Sequence, residues 1–182
     1  MTGERLALVA VAALAVISRT RGSRALADEG WVDGHWGSRG VGVLLTTGTH
    51  VLLTLRSPLV NDPGVWGVPG GAVRIDSVTG KPEQLLQAAA KELEEETGLR
   101  LRASYIQERL QDSTLFRSGR FSFLTFVVRV PASMMQRKLA INWESTQAAW
   151  VSEGDLGYLD LHPGVAFTID TVEMENPHVL WS

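Results

Sequence analysis

The sequence predicts an α/β or α+β sandwich preceded by an apolar helix. Short β-rich runs begin at Gly40, one long helical segment interrupts them, and a second helical segment follows the last run. The 182 residues suffice for one domain of ordinary size. We therefore expect an apolar helical segment over residues 1–30 and one domain over residues 31–182.

Composition and charge exclude several classes of function. The chain has 45% hydrophobic and 20% charged residues, which is typical of a globular protein. Its net charge of −3 gives no electrostatic reason to expect a nucleic-acid coat or a polybasic membrane binder. The sequence has no cysteine, so it excludes disulfides, thiolate zinc sites and cysteine nucleophiles. The four histidines lack metal-binding spacing, which argues against a zinc site.

The amino-terminal segment contains an unbroken apolar run from Leu6 to Ile17. As a helix it would be about 18 Å long, too short for the ~30 Å hydrocarbon core of a bilayer. One interpretation is a helix that packs on the domain or forms a homodimer interface, in a cytoplasmic protein. The other is a signal peptide cleaved after residues 25–27, which implies secretion or membrane association, although arginines at 19, 21 and 24 argue against it.

The strands and loops of the domain are predicted from residue type and turn signals. Ser57 to Gly64 contains two prolines and a glycine, so we expect a loop there, and Asp76 to Lys81 reads as a turn or an inserted loop. The runs expected as strands are 41–45 and 51–55 as a hairpin, 66–68 with an extension over 72–75, 101–110, 121–130 and 147–151.

Two helices are predicted in the domain. The first covers Pro82 to Thr97, with Pro82 in its first turn, Glu83 complementing the helix dipole and Gly98 closing it. Its apolar positions recur at helical spacing and form one face. The second helix covers Pro163 to Glu175 and begins with a proline.

The central helix carries an acidic arc. Glu92, Glu95 and Glu96 lie within about 100° of one another around the helix axis, whereas Glu94 points elsewhere. Like charges at these spacings repel, and the helix dipole disfavours negative charge near the C-terminus. A divalent cation would remove the conflict, and oxygen ligands suit Mg²⁺ or Mn²⁺.

On spacing alone, an acidic surface helix without a site explains this arc equally well. The sequence upstream favours a site. Gly70 and Gly71 follow Pro69 in a turn poor in side chains, and two glycines let a backbone approach a phosphate or a metal closely. Taken by itself, that segment is also compatible with a plain tight turn.

Together these segments resemble the Nudix hydrolase family, whose signature is G-x5-E-x7-R-E-U-x-E-E-x-G-U with U an aliphatic residue. Glu83 is followed after seven residues by K-E-L-E-E-E-T-G-L over 91–99, and R-S-P-L-V-N-D-P-G-V-W-G-V-P-G-G over 56–71 is similar to the region before the signature. The resemblance covers about Gly40 to the C-terminus. It implies an α/β/α sandwich with a mixed sheet.

The chain departs from this signature at two points. The signature glycine falls on Ser77, and if Gly71 fills that role, residues 74–81 include an insertion of about six residues. The signature arginine, which in the family helps to hold a catalytic glutamate, is Lys91. Lysine keeps the charge but loses the bidentate fork, so we expect reduced rather than abolished activity.

The resemblance implies cleavage of the pyrophosphate bond of a nucleoside diphosphate linked to another group. Glu92, Glu95 and Glu96 would bind Mg²⁺ or Mn²⁺, and Glu95 or Glu96 would orient or deprotonate the attacking water. Gly70 and Gly71 would offer backbone groups near the metal, with Glu83, Lys91 and Gly98 as supporting signature residues. Glu144 is either a further catalytic carboxylate or an exposed loop residue.

The partner implied is a small-molecule nucleotide, of unspecified kind. Arg56 either contacts a phosphate or forms a surface salt bridge. Trp36, Phe121 and Phe123 are candidates for stacking on a base, although aromatic residues in strands more often pack in the core. The alternative function is a catalytically weak module of the same fold that binds a nucleotide or a protein.

Overall fold

The structure is a computed structural model that describes residues 39–75 and 78–182. The predicted apolar segment over 1–30, Trp36 and Ser77 lie outside the described residues. None of the helices within the described ranges has the length and apolar character needed to cross a membrane.

The described strands and helices follow the predicted order, apart from the differences given below and from a 3₁₀ turn and a short third helix that the sequence did not predict. The elements are β1 (Arg39–Thr46), β2 (His50–Arg56), β3 (Trp66–Gly67), β4 (Gly70–Ala72), α1 (Leu85–Thr97), α2 (Ala103–Arg109), β5 (Leu110–Ser118), β6 (Phe121–Arg129), a 3₁₀ turn (Ala132–Gln136), β7 (Ser145–Ser152), α3 (Glu153–Leu156) and α4 (Pro163–Glu175).

The strands form one mixed sheet. Strand β1 pairs in parallel with β6 and antiparallel with β2 and β4, while β7 pairs antiparallel with the outer side of β2. The antiparallel pair of β5 and β6 extends the sheet on the other side. The predicted mixed sheet with helices is therefore confirmed.

Helices cover both faces of this sheet because successive side chains of a buried strand point to opposite sides. Val43 and Leu45 belong to the hydrophobic cluster beneath α1 and α2, which includes fully buried Leu93. Leu44 belongs to the opposite cluster, with Ile169 of α4. The helix α1 is thus fixed to one face, and the carboxylates at its carboxyl-terminal end are held beside β4.

The central helix begins three residues later than predicted. Pro82 forms an antiparallel bridge with Ile75, and the Glu83 carboxylate accepts a hydrogen bond from the Arg74 N–H at 2.8 Å. The chain is therefore still extended at Gln84, and the helix starts at Leu85. Its predicted end is confirmed, since Gly98 has a φ of 72° and donates its N–H to the Glu94 carbonyl.

The strand predicted over 101–110 is wrong. Residues 103–109 form the helix α2, and the strand β5 begins only at Leu110. Ile106 is completely buried against the cluster under α1, so helical packing decides this short segment over its β propensity. The strands predicted over 121–130 and 147–151 and the helix from Pro163 to Glu175 are confirmed.

Candidate active site

Three carboxylates meet beside the sheet. Glu92 and Glu96 come from α1, and Glu144 comes from the segment before β7. Each offers one carboxylate oxygen within 4.8 Å of the others. Glu92 and Glu96 are buried, with 8% and 5% of their surface exposed, whereas Glu144 is half-buried. Among the described residues this is a group that can bind a metal ion through oxygen ligands.

Local structure fixes each of these carboxylates. Residues four apart on a helix lie on one face, so Glu92 and Glu96 both face the sheet. Glu96 Oε1 accepts a hydrogen bond from the Gly70 N–H at 2.8 Å. The carbonyl of Glu144 accepts the Ser57 N–H at 2.8 Å, and its own N–H donates to Asn142 Oδ1 at 2.9 Å. Glu144 is therefore held against the end of β2.

Burial of these like charges is electrostatically unfavourable without a cation. The pKa of Glu96 is raised to about 8, mainly by burial and also by the nearby Glu144 and Glu92, against the opposing Gly70 hydrogen bond and the Arg56 charge. Burial also raises the pKa of Glu92, and Glu95 adds to that shift. Carboxylates that share a buried site in this way suit a divalent cation, which would supply the missing positive charge.

The two glycines before the helix allow the close approach of the strand to these acids. A Cβ atom on Gly71 would lie 2.6 Å from Glu92 Oε2, and one on Gly70 would lie 2.6 Å from the Val41 carbonyl oxygen. Real Cβ contacts are essentially never that short. The predicted side-chain-poor turn is thus a steric requirement of the acidic site.

Glu95 lies outside the group that the structure brings together. Its side chain is 47% exposed, and Lys91 Nζ lies 3.4 Å from Glu95 Oε1. Glu94, on a different side of the helix, forms an ion pair with Arg100 at 2.7 Å. The third member of the buried group is Glu144, and Glu95 stands beside it, close enough to influence the charge of Glu92.

A cavity of about 230 Å³ adjoins the acidic group through Gly70, which lines it. Three phenylalanines contribute to its wall, and the Phe121 and Phe123 ring centroids lie 6.1 Å apart. Both rings are half-buried, so part of each ring packs against the protein and part is exposed to a ligand. The polar lining includes Arg56, Asp62 and His162.

Arg56 organises the loop beside this cavity. Its Nε donates to the Asn61 carbonyl at 2.9 Å and to the Asp62 carbonyl at 3.2 Å. Burial lowers the pKa of Arg56, while the charges of Asp62, Glu96 and Glu144 oppose the shift. The guanidinium therefore supports the loop over 57–64 and brings positive charge near the buried acids.

Comparison with known proteins decides the family. The family model described as NUDIX domain matches residues 37–171. The chain belongs to the Nudix family. The m7GpppN-mRNA hydrolase NUDT17 of Xenopus laevis is 50% identical over 64 residues, which are 34% of this chain and 20% of that protein. The hydrolase of the same name from Danio rerio is 45% identical over 73 residues, 39% of this chain and 22% of that protein.

A solved structure shares the fold. The MutT protein from Methanosarcina mazei Go1 is 25% identical with a TM-score of 0.55, covering 76% of this chain and 94% of that one. The chain spans about a fifth of the length of the curated relatives that it matches.

Phe116, Asp62 and His162 are among the cavity-lining residues of this Nudix domain that the sequence did not predict as site residues. A signal was available for His162, because it directly precedes Pro163 at the start of α4. Its Nδ1 accepts the Gly164 N–H at 3.1 Å and so caps that helix. No comparable signal in the sequence marks Phe116 or Asp62. Phe116 reaches the cavity through the pairing of β5, and Asp62 reaches it through the conformation of the loop over 57–64.

Proposed function

We propose that the chain hydrolyses the pyrophosphate bond of a nucleoside diphosphate linked to a second group, using Mg²⁺ or Mn²⁺. The observation that carries this proposal is the convergence of Glu92, Glu96 and Glu144 next to an aromatic cavity. A diphosphate needs concentrated positive charge, and a nucleoside needs an apolar surface for its base. The carboxylates can bind a cation that neutralises the diphosphate, and the aromatic lining of the cavity can contact the base.

Glu92, Glu96 and Glu144 would hold the cation, because their hard carboxylate oxygens lie within 4.8 Å of one another. Burial and neighbouring negative charge raise the pKa of Glu92 and of Glu96, which a cation would offset. When bound, the ion supplies charge neutralisation for the diphosphate and polarises a phosphoryl oxygen. Gly70 and Gly71 let the backbone of β4 lie directly against these acids, since a Cβ atom on either residue would collide with its neighbours.

We assign Glu95 the role of general base, which orients the attacking water and accepts its proton. The half-exposed Glu95 carboxylate stands at the edge of the buried acids, where solvent reaches it. Lys91 is then a positioning residue, because its ammonium group holds Glu95 from one helical turn earlier. This arrangement gives the lysine the task that the signature arginine has in the family.

The substrate can be identified by testing a small panel of nucleotide derivatives. The two curated relatives are named as hydrolases of m7GpppN-mRNA. This supports including m7GpppN-capped RNA in the panel, together with ADP-ribose, nucleotide sugars and dinucleoside polyphosphates.

We further propose a cytoplasmic homodimer whose interface includes residues 1–30. A chain without cysteine suits a reducing compartment. Light scattering of the full chain measures its mass, and Leu14→Lys in the apolar run is expected to dissociate a dimer. A monomeric mass for the unaltered chain would remove the homodimer from the proposal.

The test is product analysis of that substrate panel with the full chain and Mg²⁺. The proposal predicts that one class is cleaved at a P–O–P linkage of its phosphate chain, and that Glu95→Gln lowers kcat without changing Mn²⁺ affinity. Glu96→Gln should lower both. Nucleotide binding without turnover of any substrate would instead support a catalytically weak binding module.

A further inference from the structure

We propose that Asp62 and His162 select guanine as the base that the aromatic cavity accepts. The inference rests on the proposed function only in treating this cavity as the place where the nucleoside of the substrate binds. It adds a base identity and two specificity-determining residues to that proposal.

The size and lining of the cavity suit one ring system. Its volume of about 230 Å³ is below the roughly 300–1,000 Å³ of pockets that enclose drug-sized ligands. A whole nucleoside diphosphate therefore does not fit inside, but a base does, with its phosphates directed past Gly70 toward the acids. Phe116, Phe121 and Phe123 provide rings for base contact.

His162 presents a hydrogen-bond donor to this cavity. Its Nδ1 accepts the Gly164 N–H, so the proton of the neutral ring lies on Nε2. Nε2 lies 3.6 Å from Asp62 Oδ2. Burial and the charge of Arg56 lower the pKa of His162 against the opposing charge and hydrogen bond of Asp62, and the net lowering agrees with a neutral ring.

Asp62 presents an acceptor at the same wall. Arg56 binds the carbonyls of Asn61 and Asp62 and so fixes the loop, in which Asp62 has a φ of 49°. The Asp62 side chain is 67% exposed, so a ligand that enters the cavity can reach it. The wall therefore offers an N–H donor next to a two-oxygen acceptor.

This order of groups matches one base. The Watson–Crick edge of guanine carries a carbonyl oxygen, a ring N–H and an exocyclic amine, which complement the His162 donor and the two oxygens of Asp62. Adenine would place its amine against a donor or its bare ring nitrogen against the carboxylate. Adenine therefore forgoes the hydrogen bonds that guanine makes with these two side chains.

Calorimetry with the α,β-methylene analogues of GDP and ADP in Mg²⁺ tests this selection without turnover. The full chain should bind the guanine analogue roughly tenfold or more tightly, as expected for a paired base edge. Asp62→Asn should abolish that preference by weakening the guanine analogue alone, and asparagine tolerates the positive φ. Asp160→Asn removes the same charge from an exposed residue outside the cavity and should keep the preference.

Equal affinity of the unaltered chain for both analogues would overturn the inference, as would an Asp62→Asn chain that keeps its guanine preference. A chain that cleaves substrates but shows no base preference would refute the inference and leave the proposed function intact. A guanine preference that depends on Asp62, without hydrolysis of any substrate, would support base selection and refute the hydrolytic function.

Discussion

Gly70 donates its backbone N–H to Glu96 Oε1 across 2.8 Å, and the same residue lines the aromatic cavity. One backbone position therefore touches both halves of the candidate site. A side chain there would collide with the Val41 carbonyl in β1. The distance between the buried acids and the cavity is consequently set by strand pairing, which is more rigid than a loop.

Replacing Gly71 by alanine is expected to damage the acidic site directly. The added methyl group would lie 2.6 Å from Glu92 Oε2, so either α1 or β4 must move. We expect a loss of about 1–3 kcal/mol in unfolding free energy, as for other overpacked positions, together with weaker Mn²⁺ binding. Denaturant unfolding and metal titration measure the two effects.

The matched control is Gly154→Ala, where an added Cβ meets no atom within 4 Å. It should leave both properties near those of the unaltered chain. Equal losses in the two variants would show that the contact with Glu92 is not the cause.

Lys91 is expected to act on rate through Glu95. Lys91→Met removes the cation that lies 3.4 Å from Glu95 Oε1, so kcat should fall by about tenfold while KM and Mn²⁺ affinity stay nearly constant. Lys91→Arg keeps the charge and supplies the bidentate fork, so its kcat should be at least that of the unaltered chain. A Lys91→Met chain with unchanged kcat would contradict the assigned positioning role.

His162 makes the stability of the domain depend on pH. Its pKa is lowered from the usual 6.5, mainly by burial, so the folded chain binds this proton less readily than the unfolded chain. The His162 contribution to the unfolding free energy is therefore largest above pH 6.5 and falls as pH decreases toward the lowered pKa. Glu96, whose pKa is raised to about 8, acts in the opposite direction because its contribution falls as pH rises. Comparing the unaltered chain with His162→Asn at pH 7.5 and 5.0 isolates the His162 contribution.

His162→Asn keeps a capping side chain without a titrating ring and should lack the loss of stability that His162 causes at pH 5.0. His178→Asn replaces an exposed histidine and should follow the unaltered chain. Identical pH profiles for the unaltered chain and His162→Asn would refute the role of His162.

Leu180 ties the end of the chain to the second hydrophobic cluster. Its side chain is completely buried, and its carbonyl accepts the Thr46 hydroxyl at 2.9 Å. Leu180→Ala should cost about 2–5 kcal/mol of unfolding free energy, measured by denaturant unfolding. Leu59→Ala, at a leucine that is 74% exposed, should cost little, and similar values for the two would contradict this packing.

The acidic site could be predicted from the sequence only where one helix carries it. Glu92 and Glu96 are four residues apart, so their shared face follows from helix geometry. Glu144 follows 48 residues after Glu96, and its place depends on the pairing of β2 with β7, in which Arg56 lies opposite Ser145. No local pattern encodes that register. From the sequence alone, Glu144 could therefore be either a catalytic carboxylate or an exposed loop residue.

Local signals also misled where tertiary contacts compete with them. Pro82 and Glu83 are typical of a helix start, but the bridge to Ile75 and the bond to Arg74 use them in a turn. Residues 103–109 belong to a segment that was predicted as a strand. They fold as a helix because Ile106 fills the core under α1. In both cases packing outweighs an intrinsic preference of a few residues.

The most direct test of the central claim is Mn²⁺ binding followed by electron paramagnetic resonance. The full chain should bind Mn²⁺, Glu144→Gln should weaken that binding by about tenfold or more, and Glu95→Gln should leave it almost unchanged. Binding that is insensitive to Glu144→Gln but lost in Glu95→Gln would contradict the assignment of Glu92, Glu96 and Glu144 as the ligands.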